Sequence, residues 1–137
     1  MMRNITSIEP VETIMTRDVV YIDGEKTAYE ATKLMSKRNI SSLIVGNKEN
    51  LEGVLCERNI IWKVLAEGLD PKKIKVKDIK SIPIIWIYAH TPIYEVHSKM
   101  CEEQVRHLVV KKSEKVVGII SVHDLIWITA KEAEEVY

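Results

Sequence analysis

The stretch Gly53-Val54-Leu55-Cys56-Glu57-Arg58-Asn59-Ile60-Ile61-Trp62 is answered 65 positions later by Gly118-Ile119-Ile120-Ser121-Val122-His123-Asp124-Leu125-Ile126-Trp127. Both begin on glycine and end on Ile-Trp. Working outward at the same offset, Val11 falls on Val76, Ile14 on Ile79, Ile22 on Ile87 and Tyr29-Glu30 on Tyr94-Glu95. Met35 meets Met100, Leu43 meets Leu108, Val45 meets Val110 and Glu49 meets Glu114, with no gap required. Many other pairs exchange like for like, among them Ile40 with Val105 and Ile60 with Leu125. A constant offset over this span marks a duplicated supersecondary unit.

Each copy predicts the same elements. A β-rich run comes first, Val19-Val20-Tyr21-Ile22 and Ile84-Ile85-Trp86-Ile87. A helix follows. Thr27-Ala28-Tyr29-Glu30 fits a capping box at its start in copy 1, and in copy 2 Thr91 is expected as N-cap with Pro92 at the first helical position. Ala28, Ala31, Leu34 and Met35 form the inner stripe at helical spacing. Ile93, Val96 and Met100 repeat it, with Lys99 breaking the pattern at its edge. Two strands come next, 43–45 and 51–56, joined by a turn over 46–50; the copy places them at 108–110 and 116–121 around 111–115. A second helix closes each unit, over 58–68 and from 122 towards the C-terminus, and Gly68 followed by Pro71 is a stop signal.

The order is β-α-β-β-α, twice. The fold class is α/β (α+β), with helices on one face of each three-stranded sheet and the two repeats closing on each other by pseudo-two-fold symmetry. The expected divisions are a lead-in over 1–10, repeat 1 over 11–68, a linker over 69–75, repeat 2 over 76–130 and a helical tail over 131–137.

Composition bounds the function. The 137 residues are 46% hydrophobic and 29% charged, enough to build a core. Lys+Arg 20 balances Asp+Glu 20, so there is no broad basic field, and a nucleic-acid role would need a local patch. The lysines of Lys72-Lys73-Ile74-Lys75-Val76-Lys77 read as a solvated face, and nucleic acid is not an expected partner. Cys56 and Cys101 lack the spacing of a zinc site and read as reduced thiols; no metal site is expected. Residues 1–10 hold no apolar core of a signal peptide, and the run 82–89 is far short of the ~20 residues of a membrane helix. A cytoplasmic location is expected, with no membrane partner. No phosphate-cradling glycine loop, fixed carboxylate pair or Cys/His constellation is present, so no catalytic residue and no enzymatic activity are expected.

The doubled unit resembles a tandem pair of cystathionine-β-synthase (CBS) domains, a Bateman module. The residues that carry the likeness are Val11-Glu12-Thr13-Ile14-Met15-Thr16, Ser42-Leu43-Ile44-Val45 and Gly118-Ile119-Ile120-Ser121-Val122-His123-Asp124-Leu125. The resemblance implies a regulatory module that binds adenosine-containing ligands (AMP, ADP, ATP or S-adenosylmethionine) in two clefts between the copies. Such a module reports energy or metabolite state to another protein, here an unknown target. The ligand is regulatory, and no cofactor is implied. The length leaves no room for an attached catalytic domain, so a stand-alone module is expected.

Carried onto this chain, the likeness assigns Asp124 and Ser121 to a ribose, since a carboxylate can accept from two neighbouring hydroxyls. Ser-x-x-Asp is also close to a helix capping box, and both roles can hold at once. The aligned Cys56 and Asn59 are a weaker pair for sugar. Arg106-His107 resembles the basic pair that grips phosphates bound mainly in the partner copy's cleft, Arg being suited by its planar fork, so the likeness gives the Asn59 cleft the better phosphate clamp and the Asp124 cleft the better ribose clamp; the plain alternative is a solvated strand edge. The adenine slots implied are Ile85, Val105 and Ile119 for the Asp124 cleft and Val20, Ile40 and Val54 for the Asn59 cleft; each of these residues also reads as ordinary sheet core. Ser81 is grouped with the Asp124 cleft and Thr16 with the Asn59 cleft. Trp62 and Trp127 lie at equivalent places on the closing helices, which in this family tend to form a homodimer face; intramolecular core is the other reading. The competing function is a homodimeric adaptor that keeps the fold and binds no nucleotide.

Overall fold

In the computed structural model, which describes residues 5–126, the chain runs β1 (Tyr21–Ile22), α1 (Ala28–Arg38), β2 (Ser42–Gly46), β3 (Leu51–Cys56), α2 (Glu57–Ile60), β4 (Trp86–Tyr88), α3 (Ile93–Glu103), β5 (His107–Lys112) and β6 (Lys115–Ser121). Residues 122–126 open a further helix. Trp127 and the expected helical tail lie outside the described residues.

The strands form two sheets of order β1-β2-β3 and β4-β5-β6. In each, the first pair is parallel and the second antiparallel, with Tyr21 opposite Ile44 and Trp86 opposite Val109. A helix supplies the crossover that a parallel pair needs. The register shifts at aligned points, Val45/Gly46 and Val110/Lys111. Gly46 takes φ 112° at the first hairpin; the second turns tightly through Ser113 and Glu114 at φ 49° and 67°.

Two units result. One is Val19–Ile84, with a core of Ile22, Ala28, Ala31, Met35, Leu43, Val45, Leu55, Ile60, Val64, Val76 and Ile79. The other joins Met1–Asp18 to Ile85–Tyr137, with Val11, Met15, Ile87, Ile93, Val96, Met100, Leu108, Val110, Ile120 and Leu125 in its core. Burying a side chain of this size fully is worth ~1.5–3 kcal/mol, so each core is a substantial source of stability.

The units do not follow the repeat boundaries. Residues 5–18, ahead of the first copy's β1, go with the second copy's sheet, and residues 69–84 go with the first's. Each lead-in forms a short 3-10 turn, Val11–Thr13 or Val76–Asp78, whose valine is fully buried. Each then pairs with the last strand of its unit. Thr16 and Ile119 exchange backbone hydrogen bonds of 2.9 Å, and Ser81 and Val54 exchange bonds of 2.8 and 3.1 Å. The close approach needs glycine next door. A Cβ at Gly53 would stand 2.8 Å from the Ser81 carbonyl, and one at Gly118 2.9 Å from that of Thr16.

The lead-ins also serve the helix starts. Ala28 and Tyr29 donate to the carbonyls of Ile74 and Pro71; Ile93 and Tyr94 donate to those of Glu9 and Ser7. First-turn N–H groups have no partner within their own helix, so these carbonyls satisfy them. Thr27 makes the expected capping box with Glu30, its Oγ1 accepting at 3.1 Å and Glu30 Oε2 accepting from the Thr27 N–H at 2.8 Å. The expectation for Thr91 is corrected. Pro92 itself is the N-cap, with extended backbone and no side-chain bond, because the lead-in already supplies the acceptors.

The helix expected over 58–68 begins at Glu57 and widens into a π-helical turn over Ile61–Leu65, where the Ala66 N–H reaches back to the Ile61 carbonyl at 2.8 Å. Gly68, at φ 69°, ends it, and the Leu69 N–H returns to the Val64 carbonyl.

Candidate functional site

In each unit the last strand turns directly into a helix, and the turn carries the residues singled out by the repeat. In the second unit, Ser121 closes β6 and Asp124 lies in the first turn beyond it. The Ser121 N–H and hydroxyl both donate to Asp124 Oδ2 at 2.9 Å, and the Asp124 N–H donates to Ser121 Oγ at 3.2 Å. This is the reciprocal box of a helix start. Both bonds to the carboxylate use Oδ2; Oδ1 takes no part in the box.

His107 is paired across the strands with Ser121. Burial pushes its imidazole below the ordinary 6.5, the Arg106 charge works in the same direction, and the Asp124 carboxylate opposes both. His107 is therefore a neutral ring near pH 7, able to accept as well as donate. Arg106 is exposed, and its carbonyl accepts from the Val122 N–H at 2.9 Å. Ile85, Val105 and Ile119 are half-buried, the first two packed on the unit's core.

The first unit repeats the placement with different chemistry. Asn59 is buried, and all of its amide is engaged. Its Oδ1 accepts from the Cys56 N–H at 2.8 Å and the Cys56 thiol at 3.0 Å. Its Nδ2 donates to the Ile79 carbonyl at 3.0 Å and to Ser81 Oγ at 2.9 Å. The Lys63 ammonium reaches the same carbonyl at 3.3 Å. Asn59 thus bolts the helix start to the lead-in. Val20, Ile40 and Val54 are half-buried here as well. The pair aligned with Arg106-His107 is Ser41-Ser42, without charge.

The grouping of the two hydroxyl residues needs correction. Ser81 sits with Asn59 and Val54, and Thr16 sits with Ile119 in the unit of Asp124. The cause is the exchange of lead-ins, which sequence order conceals. The roles of Ile79 and Lys63 were also missed, since a backbone acceptor leaves no mark in composition.

Elsewhere, Lys75 and Lys77 grip Glu25 at 2.6 and 2.7 Å, and these bonds pull its carboxyl down to about 2. Two lysines of the 72–77 run are so engaged. Trp62 is exposed, with the Arg58 guanidinium 4.4 Å from its ring centroid. Among the described residues no group of three or more His, Cys, Asp or Glu could hold a metal ion, and no helix is long and apolar enough to cross a membrane.

A family model for the CBS domain matches residues 11–66 and again 76–130. The chain belongs to the CBS-domain family. As a tandem CBS pair it fits a regulatory module, and no enzyme family is indicated. An uncharacterised protein of Methanocaldococcus jannaschii is 34% identical over 85% of the chain and 64% of its own length. The crystal structure of an uncharacterised conserved protein from Pyrococcus horikoshii superimposes with a TM-score of 0.83 at 28% identity, covering 91% of this chain and 95% of that one. A hexameric CBS-CP12 protein from bloom-forming cyanobacteria does so at 0.80 and 30% identity, covering 86% and 69%. The chain spans 56–64% of the length of three curated CBS relatives it matches.

Proposed function

We propose that this CBS pair is a cytoplasmic, non-catalytic sensor that binds an adenosine-containing ligand, AMP, ADP, ATP or S-adenosylmethionine, and that the second unit carries the binding groups. The observation that carries the reading is Asp124. Its Oδ2 is spent on the helix start while Oδ1 stays outside the box, on a half-buried carboxylate that can accept from a ribose diol. Ser121 holds the carboxylate in place. The half-buried Ile85, Val105 and Ile119 offer flat apolar surface to a base, Thr16 adds a hydroxyl in the same unit, and exposed Arg106 suits a phosphate.

The first unit has the apolar residues, Val20, Ile40 and Val54, but Asn59 has nothing left to give a sugar. One strong half-site is the reading that follows. Self-association through the closing helices is part of the proposal, because Ile61, Trp62 and Leu65 are exposed together and a structural relative is hexameric. The closure at Asn59 also supports the second reading, an adaptor without nucleotide.

Thermal unfolding with AMP, ADP, ATP and S-adenosylmethionine decides between them. A ligand at 100 times its dissociation constant adds ~2.7 kcal/mol, so at least one should raise the melting temperature clearly. Asp124→Asn keeps the oxygen that caps the helix and removes the charge; it should lose most of the shift. Arg106→Ala should weaken AMP and ATP more than adenosine. Flat melts for all four ligands at millimolar concentration would favour the adaptor reading.

A further inference from the structure

The face of β4 opposite Ile87 carries an aromatic ladder that lies outside the unit's core cluster. Ile87 turns inward and is buried, while Trp86 and Tyr88 on either side are 37% and 40% exposed. The Trp86 and Tyr88 rings meet edge to face at 4.8 Å, and His90, two residues on, lies parallel to Tyr88 at 5.6 Å and 12°. The Lys111 ammonium stands 4.6 Å from the Trp86 centroid. Lys111 opens the β5–β6 hairpin, whose residues 111–116 also hold exposed Lys112 and Lys115 against the single acid Glu114. Lys112 lies 3.8 Å from Glu12 with its side chain 67% exposed. The aligned positions in the first unit are Tyr21, Asp23 and Glu25, so neither the fold nor the repeat calls for the ladder.

Large rings left in water on one strand mark a binding surface. Partly exposed rings beside a cluster of lysines match what a single-stranded nucleic acid presents: flat bases to stack and phosphates to neutralise. An acidic peptide would answer the lysines and leave the rings unused; an apolar partner would bury the lysines unpaired. We propose that Trp86, Tyr88 and His90, with Lys111, Lys112 and Lys115, form a surface for single-stranded nucleic acid, indifferent to base and to sugar because stacking and charge read neither. The zero net charge of the whole chain leaves room for a patch of this size. The surface uses none of the residues assigned to the adenosine ligand.

Fluorescence anisotropy of labelled dT15 and U15 with the full chain at 50 mM NaCl tests it. Saturable binding is expected, similar for the two oligonucleotides and at least several-fold weaker for a duplex of equal length. Trp86→Ala and Tyr88→Ala should each weaken binding about tenfold, by loss of aromatic surface. Lys111→Gln should reduce the slope of log affinity against log salt by about 0.7. Asp124→Asn should change nothing. If either alanine variant unfolds, Tyr88→Leu, which keeps the bulk and removes the aromatic face, should still weaken binding several-fold. No binding by 100 μM protein, unchanged affinity in folded Trp86 and Tyr88 variants, equal affinity for duplex, or equal competition by polyglutamate would each overturn the proposal.

Discussion

Asn59 and Asp124 occupy the same place in two copies of one unit, and a single atom's difference in their side chains gives them opposite tasks. The amide of Asn59 both accepts and donates. It therefore closes on the helix start and on the lead-in together, and nothing remains for a ligand. The carboxylate of Asp124 only accepts. It can serve the helix start, but it has no N–H for Ile14 or Thr16, which hold the places of Ile79 and Ser81 in the second lead-in. The same position of the repeat thus bolts a lead-in in one unit and leaves a carboxylate oxygen outside the helix-start box in the other.

The sharpest way to break the comparison is to make the first unit resemble the second. Asn59→Asp would place a carboxylate against the Ile79 carbonyl and Ser81 hydroxyl, and should cost about 3 kcal/mol in urea unfolding near neutral pH. The loss should ease as pH falls, because a protonated acid can again donate. A neutral result would mean that the amide does not hold the lead-in.

Next come the paired glycines. Gly53→Ala and Gly118→Ala should each cost about 1–3 kcal/mol in thermal unfolding, since both new methyl groups meet a lead-in carbonyl. Equal losses would show that the two lead-ins are seated alike. A much smaller loss at Gly118 would mean that the flexible Met15 beside it yields.

Asp124→Ala should cost only about 1 kcal/mol, the value of a helix cap, although it should remove most ligand response. A loss as large as that of Asn59→Asp would make Asp124 a structural bolt too. The smallest effect is in pH. His107 titrates below 6.5 in the folded chain, so as pH falls through 6.5 the unfolded chain takes up the proton first and stability declines. His107→Gln should flatten that decline in melts recorded between pH 7.5 and 5; an unchanged slope would assign it to another group.

Much of this fold was legible because offset and hydrophobic period agree. Leu43-Ile44-Val45 and Leu108-Val109-Val110 read as buried strands and are buried. The Thr27 box rests on residues adjacent in sequence, and it formed as expected. Thr91 failed because its competitor, the Glu9 carbonyl, comes from a distant segment. The same blindness misassigned Thr16 and Ser81: a repeat says which residues are equivalent, not which copy they pack on. The capping box and the sugar role of Asp124 could not be separated by spacing, since both want an acceptor three residues past a hydroxyl. In the structure the box uses Oδ2 alone, which leaves the proposed sugar contact to Oδ1.

The borrowed lead-ins carry a consequence for how the molecule is made and cut. The unit Val19–Ile84 is contiguous, so it can close as soon as its own residues have left the ribosome. Its companion must hold residues 5–18 in reserve until β6 arrives to receive them, a closure across most of the chain's length. Dividing the gene at the linker would leave residues 5–18 on the fragment that cannot use them, and deprive each half of a buried valine or a seated strand.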